Sequence, residues 1–97
     1  MDWKIVYADR THADLQKITE RIARDDPAAA FRFGSLLIDK AEALASAPEM
    51  GPMLPRKPGT RFFPVGSYLI IYRLVENQRV VRVLRFWHAS RRDRPTR

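Results

Sequence analysis

The stretch Tyr68-Leu69-Ile70-Ile71-Tyr72-Arg73-Leu74-Val75, then Glu76-Asn77-Gln78, then Arg79-Val80-Val81-Arg82-Val83-Leu84-Arg85-Phe86-Trp87-His88 decides the fold. Two runs rich in β-branched and aromatic residues, separated by three polar ones, predict a pair of antiparallel strands joined by a turn. Both runs are apolar at nearly every position, the pattern of strands covered on two faces. Working backwards, Thr60–Val65 predicts a further strand, turned at Gly66-Ser67. Pro64 inside it cannot donate to a ladder and assigns that strand to an edge.

Upstream the period changes. Trp3-Lys4-Ile5-Val6-Tyr7 predicts a short first strand. Thr11-x-x-Asp14 then reads as a capping-box-like helix start, followed by Leu15, Ile18 and Ile22 on one helical stripe with Lys17, Glu20, Arg21 and Arg24 off it. Asp25-Asp26-Pro27 ends that helix and opens another, with Asp26 as N-cap and Pro27 at the first helical position. Ala30, Phe33, Leu37, Ala41 and Leu44 continue at spacings of three and four, and the helix stops before Pro48. Two helices joined so tightly form an antiparallel hairpin. Residues 48–59 are broken by Pro48, Gly51-Pro52, Pro55 and Pro58-Gly59 and predict an irregular loop. The fold class is α+β in the order β-α-α-β-β-β, a helical hairpin on a small, twisted, mainly antiparallel sheet. Residues 1–97 read as one domain, with 89–97 a frayed basic tail.

Charge divides the chain in two. Residues 1–50 carry 7 Lys/Arg against 9 Asp/Glu, whereas residues 51–97 carry 11 against 2, so a net of −2 is followed by a net of +9. Ten of the eleven cations in the second half are arginines. Concentrated arginine offers a positive field and forked donors to an anionic partner: nucleic acid, an acidic protein segment or a phosphate-bearing substrate. The chain has no cysteine, which removes disulfides, thiol nucleophiles and thiolate metal sites, and its histidines are His12 and His88 alone. Neither a metal nor a cofactor is expected. The longest apolar run, Tyr68 to Tyr72, is far short of the roughly 18 residues that span a bilayer. No signal core follows Met1-Asp2-Trp3-Lys4, and the expected location is cytoplasmic, with no membrane partner.

Chemistry has few residues to run on. There is no Gly-rich phosphate loop and no nucleophile motif, and Glu76 and Asp93 are the isolated carboxylates of the basic half. His88 is the candidate general acid or base, against the plainer reading of a strand-terminal histidine bonded to backbone. His12 reads as surface. Strict alternation along the last strand sends Arg82 and His88 to one face and Arg85 to the other. Arg61, Arg73, Arg82 and Arg85 suit bidentate phosphate binding, or equally the charged rim of a sheet protected from aggregation. Arg56-Lys57 read as solvated loop. Tyr68 and Tyr72 share a face, fit for core packing or for stacking on bases. Any catalysis would rest on Arg, Lys, His and Tyr, a set that suits metal-free cleavage of RNA at its own 2′-hydroxyl.

With these pieces in order, the chain resembles the ParE/RelE superfamily, the toxins of bacterial type II toxin–antitoxin pairs. The resemblance is carried by Ala13-Asp14-Leu15-Gln16-Lys17-Ile18, Asp26-Pro27-Ala28-Ala29-Ala30, Pro48-x-x-Gly51, Pro58-Gly59-x-Arg61, Tyr68-Leu69-Ile70-Ile71-Tyr72-Arg73 and Val83-Leu84-Arg85-x-Trp87-His88-x-x-Arg91. It implies the RelE/ParE-like fold and a cognate antitoxin as protein partner, in a hetero-oligomer. RelE-like members cut messenger RNA on the ribosome, typically with an arginine shortly after the aromatic of the third strand and often a tyrosine near the C-terminus. Here Leu69 follows Tyr68, and no tyrosine follows Tyr72. ParE-like members poison DNA gyrase without catalytic residues, and the Asp-Pro-Ala-Ala helix start and the Trp87-His88-x-x-Arg91 ending resemble that branch. The favoured expectation is therefore a gyrase-inhibiting toxin of the plasmid-stabilisation type. Its target- or antitoxin-binding surface would comprise Arg61, Arg73, Arg82, Arg85, Trp87, His88, Arg91 and Arg92. The alternative is a ribosome-dependent endoribonuclease using His88, Arg61, Arg85 and Arg91.

Overall fold

Asp26 shows how local chemistry sets an element boundary. Its side chain accepts a hydrogen bond from the Ala29 backbone N–H at 3.1 Å, and Pro27 occupies the first helical position behind it. Such a cap is worth about 1 kcal/mol. In the computed structural model, which describes residues 2–90, the elements run β1 (Lys4–Tyr7), α1 (Asp9–Ala23), α2 (Pro27–Ala43), β2 (Thr60–Val65), β3 (Tyr68–Val75) and β4 (Val80–His88). A single 3₁₀ turn, Glu76–Gln78, joins β3 to β4. Arg79 adopts a left-handed conformation (φ 52°) after that turn, so β4 begins at Val80 rather than at Arg79. Arg91 and Arg92 lie outside the described residues, as does most of the basic tail.

The sheet order is β1-β4-β3-β2. β1 runs parallel to β4, and the other neighbours are antiparallel. β2 is an edge strand, as Pro64 demands, with β1 at the other edge. Both helices pack on one face, where Ile18, Leu37, Ala41 and Leu44 meet Ile70, Tyr72, Val81, Val83 and Phe86. The opposite face carries a second apolar cluster of Leu69, Ile71 and Leu84, capped by Leu54 from the proline-rich loop. That loop is ordered against β2 by Phe62 N–H to Pro52 C=O at 3.0 Å and Leu54 N–H to Thr60 C=O at 2.7 Å. The two-sided apolar pattern of β3 and β4 thus has two different covers, helices and loop. Among the described residues, no helix is long and apolar enough to cross a membrane.

Tyr72 belongs wholly to the core and is closed to base stacking. It is fully buried, its hydroxyl donates to Pro48 C=O at 2.8 Å and accepts from Gly51 N–H at 2.9 Å. Burial pushes its phenol pKa up. Gly51 is required here: a Cβ would meet the Phe62 carbonyl and lie 2.8 Å from the Tyr72 hydroxyl.

Two sequence expectations need correction. α1 starts at Asp9 with Ala8 as its N-cap residue, and no side chain caps it. Ala8 N–H is held by Val83 C=O at 2.8 Å, so the chain passes from strand to helix with no residue to spare. Thr11 therefore sits inside the first turn, buried, its hydroxyl donating back to Ala8 C=O at 2.6 Å. The second correction concerns β4. Ile71 pairs with Arg85 and Tyr72 with Val83, leaving Leu84 as the extra residue of a β-bulge. The bulge reverses the alternation, so Arg82 and Arg85 share the face away from the helices, and His88 lies on the helix side with Phe86.

Candidate functional site

β1 ends where Tyr7 pairs with Val83, so β4 continues beyond its neighbour with the 84–88 edge exposed to other partners. Asp14, one turn into α1, fills the gap. Its carboxylate accepts the Phe86 backbone N–H at 3.1 Å, replacing a missing ladder bond. It also accepts two donors of Arg85, Nε at 2.7 Å and Nη2 at 2.8 Å. The two side chains keep only 16% and 11% of their exposure. The hydrogen bonds to Asp14 raise the pKa of Arg85 further, against the opposing effect of burial. The guanidinium also lies 4.9 Å from the Trp87 ring centroid, a cation–π contact.

Beside this pair opens a cleft of about 250 Å³, lined by Asp14, Lys17, Arg21, Tyr68, Arg85, Trp87, His88 and Ser90 among others. The His88 ring stands edge-on to Tyr68, with centroids 4.9 Å apart, and Tyr68 in turn contacts Phe33 at 5.6 Å. The Ser90 backbone N–H donates to His88 Nδ1 at 3.1 Å, and Ser90 Oγ lies 2.6 Å from the same nitrogen. A backbone N–H can only donate, so Nδ1 is the acceptor and the neutral ring carries its proton on Nε2. In this state His88 can offer a proton into the cleft but cannot take one at Nε2. Lys17 and Arg21, four residues apart on α1, are exposed and bring two cations to the same space.

The other arginines of the expected surface are elsewhere. Arg61 is on β2 and donates from Nη1 to Gly51 C=O at 2.7 Å and to Glu49 C=O at 3.4 Å, which ties down the proline-rich loop. Arg73 and Arg82 are exposed register partners nearer the turn between β3 and β4. The strand arginines therefore do not form one continuous patch: Arg85 is drawn around the sheet edge, Arg61 serves the loop, and Arg73 with Arg82 stand apart.

Residues 5–93 match the ParE toxin family of type II toxin–antitoxin systems, parDE. The chain belongs to this family. Among curated proteins, none matches it. Solved structures show the same fold. The chromosomal ParDE system of P. aeruginosa superposes with a TM-score of 0.77 at 16% identity, covering 91% of this chain and 97% of that one. The RelBE2 toxin–antitoxin complex of Mycobacterium tuberculosis gives 0.71 at 23% identity, over 91% and 99%. The intact E. coli RelBE complex gives 0.67 at 16% identity, over 92% and 99%. The fold is thus common to ParE and RelE toxins, and the helical hairpin, mixed sheet and open β4 edge described above are this ParE-family chain's version of it.

Sequence reasoning placed His88, Arg85 and Trp87 at the site but missed Asp14, Lys17, Arg21 and Ser90. Asp14 has the spacing of a capping acid, and Lys17 and Arg21 have the spacing of a solvated helix face. What distinguishes them is the early end of β1, which leaves α1 as the nearest neighbour of β4. No local pattern around residue 14 carries that information.

Proposed function

We propose that this toxin acts by binding rather than by chemistry, that its target is DNA gyrase, and that a cognate antitoxin neutralises it in a hetero-oligomer. The saturation of Arg85 by Asp14 carries this reading. An arginine that stabilises a phosphorane-like transition state needs its forked donors free for phosphate oxygens, and here Nε and one Nη are already spent on a carboxylate. His88, with Nδ1 engaged by Ser90, lacks a free acceptor nitrogen on the side that would take the 2′-hydroxyl proton. General acid–base catalysis contributes about 10²–10⁴-fold, so its loss would leave little nuclease activity. The family match to ParE toxins favours the same branch. The positive second half supports fast capture by an acidic antitoxin segment. A gyrase target also implies a cytoplasmic location.

The competing reading rests on one observation, the convergence of Lys17, Arg21 and His88 on a single cleft. Expression of the chain separates the two. Gyrase poisoning induces the DNA-damage response and accumulates gyrase-cleaved DNA while ribosome-bound messages stay intact. Cuts at ribosomal A-site codons by primer extension, abolished by His88→Ala, would establish the nuclease instead.

A further inference from the structure

The helical hairpin packs one side on the sheet and turns the other to solvent. That outer side carries Phe31, which keeps 76% of its exposure, more than any other large apolar residue among those described. A ring left in water forgoes the transfer free energy that burial would supply. Beside it lies a hollow of about 370 Å³ between the helices, lined by Leu15 and Thr19 of α1 and by Ala30, Gly34, Ser35 and Ile38 of α2. Gly34 keeps the hollow open, since a Cβ there would come within 3.1 Å of the Thr19 methyl. Thr19 turns its hydroxyl back to Leu15 C=O at 3.0 Å, so its polar atom is already satisfied. Phe31 and Ile38 are seven residues apart on α2, and so are Arg32 and Asp39, so each pair shares a stripe of the helix. Ser35 stands between the pairs, exposed. Arg32 and Asp39 are exposed too, and among the described residues neither has an ion pair.

We infer that this face pairs with a second copy of the same chain, α2 against α2 and antiparallel, about a two-fold axis at Ser35. A two-fold interface uses one patch twice, so the patch must carry both a knob and the hole that receives it. An axis at Ser35 brings the turn before it against the turn after it. Each Phe31 then enters the hollow beside the other copy's Ile38, and each Arg32 meets the other copy's Asp39. One register therefore covers two aromatic rings and forms two ion pairs, while the small Ser35 side chain lets the helices close at the axis. A helix of an unrelated protein also fits an apolar hollow, but nothing obliges it to carry the opposite charges in the matching order. A second copy does so by symmetry. None of the hollow's residues lines the His88 cleft, so the inference stands apart from the proposed function.

The test is sedimentation velocity on the full-length chain, made by cell-free synthesis, from low micromolar to submillimolar concentration. One helix face is a small interface, so the expected result is a monomer–dimer equilibrium in the micromolar range. Phe31→Ser should weaken dimerisation at least tenfold. Arg32→Asp and Asp39→Arg should each weaken it several-fold, because each sets like charges against one another across the axis. The double variant Arg32→Asp/Asp39→Arg should recover the original affinity, since the exchange recreates both ion pairs with their signs reversed. Lys40→Ala, an exposed cation of the same helix, should change nothing, and circular dichroism should show every variant folded. A chain that stays monomeric throughout overturns the inference. So does a dimer indifferent to Phe31→Ser, or one that the double exchange fails to restore. If the chain is monomeric and Phe31→Ser instead abolishes capture of its antitoxin, the face belongs to that partner and the pairing of copies is wrong.

Discussion

Arg82 and Arg85 lie three residues apart on one strand and point to the same face of the sheet, yet their circumstances are opposite. Arg85 is nearly covered, holds Asp14 at 2.7 and 2.8 Å and stacks on Trp87. Arg82 is exposed, and opposite it stands another arginine, Arg73. Their neighbours on the β1 side account for the difference. Alongside Arg82, β1 completes the ladder, and among the described residues no carboxylate pairs with it; past Val83, β1 has ended and α1 supplies Asp14. Arginine in a basic half is therefore no single kind of residue. One serves the fold and the other stands exposed to solvent.

The comparison breaks most readily at Asp14. Asp14→Ala leaves a largely buried guanidinium and the Phe86 N–H without their acceptor, and should lower stability by about 3 kcal/mol, read from urea unfolding. Removing Arg85 as well should recover part of that loss, because the stranded charge goes with it; a double variant no more stable than Asp14→Ala would show that the backbone contact to Phe86 carries the effect. A smaller effect is expected beneath both ends of the strand. Tyr72→Phe deletes the bonds to Pro48 and Gly51 and should cost about 1–3 kcal/mol. It should also change the alkaline limb. The folded chain holds the Tyr72 proton more tightly than the unfolded chain, so this contribution is intact below pH 10.0 and declines as pH rises past it; the variant should lose stability less steeply there. Asp26→Ala should cost about 1 kcal/mol through loss of the α2 cap. No matching effect is expected at α1, whose start has no side-chain cap. Smallest of all, Arg82→Ala should shift stability by no more than about 0.5 kcal/mol. A loss comparable to that of Asp14→Ala would mean that Arg82 too belongs to the fold, and the contrast between the two arginines would fail.

Much of this was legible in the residues themselves. Pro64 marks an edge strand, Asp26-Pro27 marks a helix start, and the largely apolar runs of β3 and β4 require two covers; each is a local constraint with one ready solution. The start of α1 was hidden because Thr11 has the chemistry of a cap while the Ala8–Val83 hydrogen bond, a contact distant in sequence, begins the helix earlier. The bulge at Leu84 was hidden because neither glycine nor proline marks it. From it follow the true facing of Arg82, Arg85 and His88, and hence most of the site. The pairing of Asp14 with Arg85 depends on which elements end side by side, and tertiary adjacency leaves no periodic trace.

Leu84 acts as a phase shifter. Everything after it on β4 is presented half a period out of step with everything before it. Loss of that one codon would leave Arg85 next to Val83 in strict alternation, still on the open face with Trp87, and His88 still on the helix side; a strand that kept Leu84 but lost the bulge would turn Arg85 and Trp87 toward the helices instead. Length at this position is thus as much a determinant of surface as residue identity, and deletion of Leu84 should disturb the two faces of β4 less than deletion of Phe86.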